Sequence, residues 1–217
     1  MDRETVHKAF RHSYPTTQLL FSAKMASHPP PPVKVASKRE REYLRPKEVE
    51  AMTKAAHSFG RHGVRDAAII LLMFRHGLRT AELVSLKWSQ IDLNDGYIEI
   101  RRVKHGHDST HPLRAPELRA LRQIKRDKSK TQYVFVSERK APLSTRSIRH
   151  IIARAGELAG LDESVHPHQL RHACGYYLAS VGHDTRAIQD YLGHKNIHHT
   201  VRYTQMSPSR FETFWTD

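Results

Sequence analysis

The sequence predicts a mainly helical α+β domain with one small three-stranded antiparallel sheet. Apolar residues recur at helical spacing through most of the chain beyond residue 43, and Gly and Pro punctuate those stretches at their ends. One region, residues 91 to 113, instead reads as strands around an Asn94-Asp95-Gly96 turn. A chain of 217 residues holds one core and a tail, and the expected boundary puts a tether-like extension at 1–42 and the folded domain at 43–217.

The extension lacks sustained periodicity and carries the run Pro29 to Pro32, followed by Lys38, Arg39, Glu40 and Arg41, so no core is expected there. Met25 offers an alternative translation start. From Leu44 the pattern becomes regular. Pro46 suits a first helical turn, Val49, Met52, Ala55 and Ala56 make one stripe, and Gly60 supplies a stop. A second helix over 64–76 is almost wholly apolar from Ala67 to Phe74, belongs in the core, and ends at Gly77. The next begins near Thr80, which can cap it, leaving Arg79 beside backbone N–H groups that favour anions. Ile91 and Leu93, then Tyr97, Ile98 and Ile100, form a hairpin whose second strand closes at Val103; residues 110–113 form the third strand. Lys104 then starts a loop that reaches outward. Helices follow over 116–127, 145–159, 167–181, 185–192, 197–205 and 208–215.

The charge balance limits the partners. Lys and Arg number 36 against 22 Asp and Glu, a formal net charge of +14, which favours a polyanion, nucleic acid ahead of an anionic membrane. Seventeen histidines add positive charge as pH falls, so binding should tighten in mild acid. Cys174 is the single cysteine, which excludes an internal disulfide framework and fits a reducing, cytoplasmic compartment. The longest apolar run, residues 67–74, is far short of the run of about 20 that spans a bilayer, and nothing reads as a signal peptide.

Four segments carry the informative polar residues: Gly77-Leu78-Arg79-Thr80-Ala81-Glu82-Leu83, Lys104 in its loop, His168-Gln169-Leu170-Arg171-His172, and Leu192-Gly193-His194 with Tyr203 nine positions later. In this order they resemble the tyrosine recombinase, or phage integrase, family, from about Leu44 to the end. The stretch from His166 to Tyr203 is most similar to the short bacterial fimbrial phase-variation invertases. The resemblance implies a tyrosine recombinase catalytic domain acting on double-stranded DNA at inverted repeats through a 3′-phosphotyrosine, as a homotetramer assembled on DNA. It further implies inversion of a promoter segment that controls fimbrial expression, in association with the nucleoid. Most full-length members carry a DNA-clamping domain that the residues before Leu44 are too few to form; the short invertases share that lack, which leaves room for accessory DNA-bending proteins.

The chemistry calls for these residue types. A phosphodiester gains negative charge in the pentavalent transition state, and Arg79 and Arg171 suit its nonbridging oxygens through bidentate, charge-assisted hydrogen bonds. Tyr203 is the expected nucleophile, yet with an ordinary pKa near 10 only about one phenol in a thousand is ionised at neutral pH. The cationic cluster is expected to lower that pKa, and the resemblance makes His168 the acceptor of the proton. Lys104 is the natural acid for the leaving 5′ oxygen, and His194 a hydrogen-bond donor to the phosphate. No cofactor is called for, since rejoining reuses the bond energy held in the phosphotyrosine, and neither a Walker-type loop nor a metal-binding carboxylate pair is present in the sequence. The remaining histidines, among them His105, His107, His111, His166, His172, His198 and His199, do not repeat a metal-ligand spacing and read as DNA-backbone contacts or solvated residues. Phe211, Phe214 and Trp215 fall at i, i+3, i+4, a stripe for the domain's own core or, by the resemblance, for a neighbouring protomer. Four other readings stay open: an integrase or excisionase, a type IB topoisomerase that relaxes DNA as a single protomer, a non-catalytic DNA-binding regulator, and a chelator-sensitive nuclease.

Overall fold

A computed structural model describes residues 43–103, 106–126, 131–161 and 164–205. The chain divides after Arg39, and every described element belongs to the second unit. The expected tether over 1–42, Lys104 and His105, and the expected helix over 208–215 lie outside the described residues.

Among the described residues, eight α-helices and three strands follow in the order α1 (Pro46–Ser58), α2 (Gly63–Arg75), α3 (Thr80–Val84), β1 (Ile91–Asp92), β2 (Tyr97–Ile100), β3 (Ser109–Pro112), α4 (Ala115–Arg126), α5 (Thr145–Leu158), α6 (Pro167–Ser180), α7 (Thr185–Leu192) and α8 (His198–Gln205), with a 3-10 turn at Trp88–Gln90 ahead of β1. The sheet order is β1-β2-β3, both pairs antiparallel, with Ile91 opposite Ile98 and Ile98 opposite His111. That register turns Ile98, Ile100 and His111 inward and leaves Tyr97 and Glu99 outside. The second strand is shorter than expected. It ends at Ile100, because the Arg102 N–H leaves the ladder and donates to the Asp108 carboxylate at 2.7 Å.

The apolar run in α2 does occupy the centre: Ile69, Ile70, Leu72 and Met73 are all buried, packed between α1, α4 and α6. Each such side chain contributes roughly 1.5–3 kcal/mol through burial. A second, smaller cluster gathers Cys174, Tyr176, Ala179, Ile188, Leu192 and Tyr203 from α6, α7 and α8. α3 starts differently from expectation. Arg79, not Thr80, occupies the cap, with extended backbone, and its N–H donates to the Glu82 carboxylate at 2.9 Å. Among the described residues, no helix is long and apolar enough to cross a membrane.

Candidate active site

The site forms where two helices end. α2 stops at Gly77, whose φ of +57° favours glycine, and α7 stops at Gly193, left-handed at φ +63°. Such ends leave backbone carbonyls without helical partners. Here the partners are cations. Arg171, buried on α6, donates through Nη1 to the Gly77 carbonyl and through Nη2 to the Leu192 carbonyl at 2.7 Å. Arg102, also buried, donates to the carbonyls of His76 at 3.2 Å and Tyr191, and pairs with Glu82 at 3.0 Å. Glu82 in turn accepts from Arg79 Nη1 at 2.7 Å, so one buried carboxylate orients two arginines. Burial works to raise its pKa, but the Arg79 N–H, Arg102 and the Arg79 guanidinium outweigh it and hold the carboxyl below its ordinary range. Burial and the neighbouring Arg79 and Arg102 bring Arg171 down to about 10, still a cation at neutral pH.

Past Gly193 the chain turns inward and buries His194. Its Nδ1 lies 2.8 Å from the hydroxyl of Thr200 on α8. Burial, then Arg171 and Arg79, lower its pKa to about 3, so the ring is neutral at pH 7. Tyr203, on the same helix, is almost fully enclosed. Gly175 on α6 permits this: a Cβ there would stand 2.6 Å from the tyrosine ring. The ring meets Tyr176 edge-on at 4.9 Å and lies 6.1 Å from the His194 ring.

Two expectations about Tyr203 change. Its hydroxyl lies 2.9 Å from Nδ1 of His172, a histidine read from the sequence as a DNA contact or a solvated residue. His168 is exposed on the first turn of α6, its ring 6.3 Å from that of His172. The phenol pKa moves up, not down, to about 12, because burial outweighs the attraction of Arg171. Arg79, Arg171, His194 and Tyr203 thus converge, His168 stands at the edge, and Lys104 lies outside the described residues.

Sequence reasoning assigned no role to Glu82, Arg102 or Thr200, and none in the chemistry to His172. Glu82 had a signal: an acid three residues after Arg79 at a helix start. Arg102 had none, because its burial follows from the helix ends above. Behind it, His111 stacks on Tyr191 at 3.8 Å, and His76 joins His111 at 3.1 Å to Glu117 at 2.8 Å. Burial and then His76 lower the His111 pKa to about 3. Among the described residues, no group of His, Cys, Asp or Glu is placed to hold a metal.

These depressed histidines set a pH dependence. An unfolded histidine titrates near 6.5, so between about pH 3 and 6.5 the unfolded chain binds more protons at His111 and His194. Stability is therefore complete above that window and falls with pH inside it, by up to about 1.4 kcal/mol per pH unit for each histidine. Denaturation midpoints measured at pH 7 and pH 5 should show a clear fall; equal midpoints would contradict the buried, neutral state of these rings.

A mainly helical domain that stations cations, a neutral imidazole and a buried phenol at the meeting of two helix ends has the makings of a phosphate-handling catalytic domain. The sequence matches the phage integrase family over residues 42–210. It is 47% identical over 182 residues to the type 1 fimbriae regulatory protein FimE of Escherichia coli strain K12, spanning 81% of this chain and 91% of FimE. FimB of the same strain, also a type 1 fimbriae regulatory protein, is 43% identical over 185 residues, 83% of this chain and 92% of FimB. The crystal structure of XerA recombinase superposes with a TM-score of 0.70 at 29% identity, covering 81% of this chain and 65% of that one. The chain belongs to the phage integrase family and is a tyrosine recombinase.

Proposed function

We propose that this chain recombines double-stranded DNA at inverted-repeat sites through a 3′-phosphotyrosine at Tyr203, as a homotetramer on DNA. The observation that carries the reading is the phenol of Tyr203 held 2.9 Å from the His172 imidazole and within the field of the Arg171 cation. The Tyr203 oxygen bonds to phosphorus as the bond to the 5′ oxygen breaks. The phenol proton passes to His172 Nδ1 when that ring carries its own proton on Nε2. Lys104 protonates the 5′ oxygen. Arg79 and Arg171 hold the nonbridging oxygens; two of the five Arg171 N–H groups are used on carbonyls, which leaves others for phosphate. With Nδ1 engaged by Thr200, Nε2 of His194 is the nitrogen left to donate to the phosphate. His168, exposed on the first turn of α6, addresses the DNA strand. Rejoining by a second 5′-hydroxyl reverses each transfer, so neither cofactor nor metal takes part.

The similarity to FimE and FimB, both type 1 fimbriae regulatory proteins, supports inversion of a promoter segment controlling fimbriae; the reaction takes place in the cytoplasm at the nucleoid. Accessory DNA-bending proteins complete the complex, and residues 208–217 dock on the neighbouring protomer. The net charge of +14 supports the DNA partner.

The test is a nicked suicide substrate carrying the inverted repeats that flank the source promoter. A covalent protein–DNA adduct insensitive to chelator is expected, and no adduct would refute the reading. In the same assay, His172→Ala should slow cleavage by about 100-fold or more. His168→Ala with the greater loss would return the proton-accepting role to His168.

A further inference from the structure

Arg102 belongs to no motif recognised in the sequence, yet its side chain is 0% exposed and reaches the α2–α3 junction and the end of α7, two of the segments that shape the site. Its guanidinium pairs with Glu82 at 3.0 Å, donates to the carbonyls of His76 and Tyr191, and touches that of Gly77 at 3.5 Å. Its stem lies against Gly193, where a Cβ would stand 2.7 Å from Arg102 Cγ, and against Gly106, where a Cβ would stand 2.8 Å from Arg102 Cβ. The segments it joins are those Arg171 joins: Gly77 is shared, and Tyr191 precedes the Leu192 whose carbonyl Arg171 takes. Arg79 connects to it through the common Glu82 carboxylate.

We infer that Arg102 is a positioning residue for phosphoryl transfer, fixing the α2–α3 junction against the end of α7 so that Arg79, Arg171 and His194 meet one phosphate. Buried in this way it makes no contact with substrate; its effect passes through the groups it holds. A planar fork with five donors can serve a carboxylate and carbonyls from two helix ends together, which a single ammonium on a flexible stem cannot. Lysine at 102 keeps the charge beside Glu82 and loses the geometry.

The inference rests on the DNA-cleaving role proposed above, and the test separates the two. Single-turnover cleavage is compared for the wild type and Arg102→Lys on suicide DNA bearing either a normal scissile phosphate or a methylphosphonate, which removes the charge the two arginines neutralise. DNA affinity and the unfolding midpoint are measured alongside. Absence of an adduct with the wild-type chain would sink the proposed function itself. Given that adduct, Arg102→Lys should bind DNA normally and cleave the phosphate about 100-fold more slowly, with the deficit shrinking to about tenfold or less on methylphosphonate. Cleavage at the wild-type rate, or the same deficit on both substrates, would overturn the inference, the second because a mere loss of folded protein slows both alike. Should the lysine variant not fold, Arg102→Gln, which leaves Glu82 in place to hold Arg79, is read in the same way.

Discussion

Tyr203→Phe should bind DNA with unchanged affinity and form no covalent adduct at any pH. The substitution deletes one oxygen from a ring that is otherwise buried against Gly175, Tyr176 and His194, so the cluster beneath α6, α7 and α8 stays filled. The stability change should be small, about 1 kcal/mol, the worth of the hydrogen bond to His172. The loss of chemistry should be total, since phenylalanine has no atom that can bond to phosphorus. Gel separation of adducts under denaturing conditions reads this directly, and an adduct persisting in the variant would place the nucleophile elsewhere. The buried phenol also implies a rate dependence. At a pKa of about 12, only about one Tyr203 in 100,000 is ionised at pH 7, so cleavage leans on proton transfer to the imidazole as the attack proceeds.

Glu82→Ala should be the most destabilising single change in the site. It leaves the Arg102 guanidinium buried beside the Arg79 cation without the carboxylate that neutralises them both. Removing one partner of a buried ion pair costs about 3–5 kcal/mol, which in a domain of this size lowers the melting temperature by roughly 10 °C. Cleavage should fall further than stability accounts for, because Arg79 loses both bonds that fix it, the one from its backbone N–H and the one from its guanidinium. Thermal unfolding and single-turnover cleavage check the two parts. A melting temperature within about 2 °C of wild type would mean that solvent reaches the pair and screens it.

Much of the architecture was legible because local chemistry enforces it. Pro46 and Pro167 open helices, Asp184 caps α7 through the N–H groups of Arg186 and Ala187, and Gly77 and Gly193 take the left-handed turns that end α2 and α7. The Asn94-Asp95-Gly96 turn was enough to place a hairpin. What misled was competition between levels. Val103 has the side chain of a strand residue, but the Asp108 carboxylate captures the Arg102 N–H and ends the ladder first. His168 and His172 sit four residues apart on one helix, so spacing could not say which meets the phenol. The packing of α8 on α6 decides for His172.

From the sequence alone came the order of helices and strands, the polyanion partner and the membership of Arg79, Arg171, His194 and Tyr203 in one cluster. The first two are written in residue type and near-neighbour spacing, and the third came through the family resemblance that the motifs carry. The tertiary structure alone decided that Arg102 and Glu82 lie beneath that cluster, that His172 holds the phenol, and that the Tyr203 pKa rises. Each of those depends on which groups lose water together, and desolvation is a property of the packed neighbourhood that no stretch of chain carries by itself.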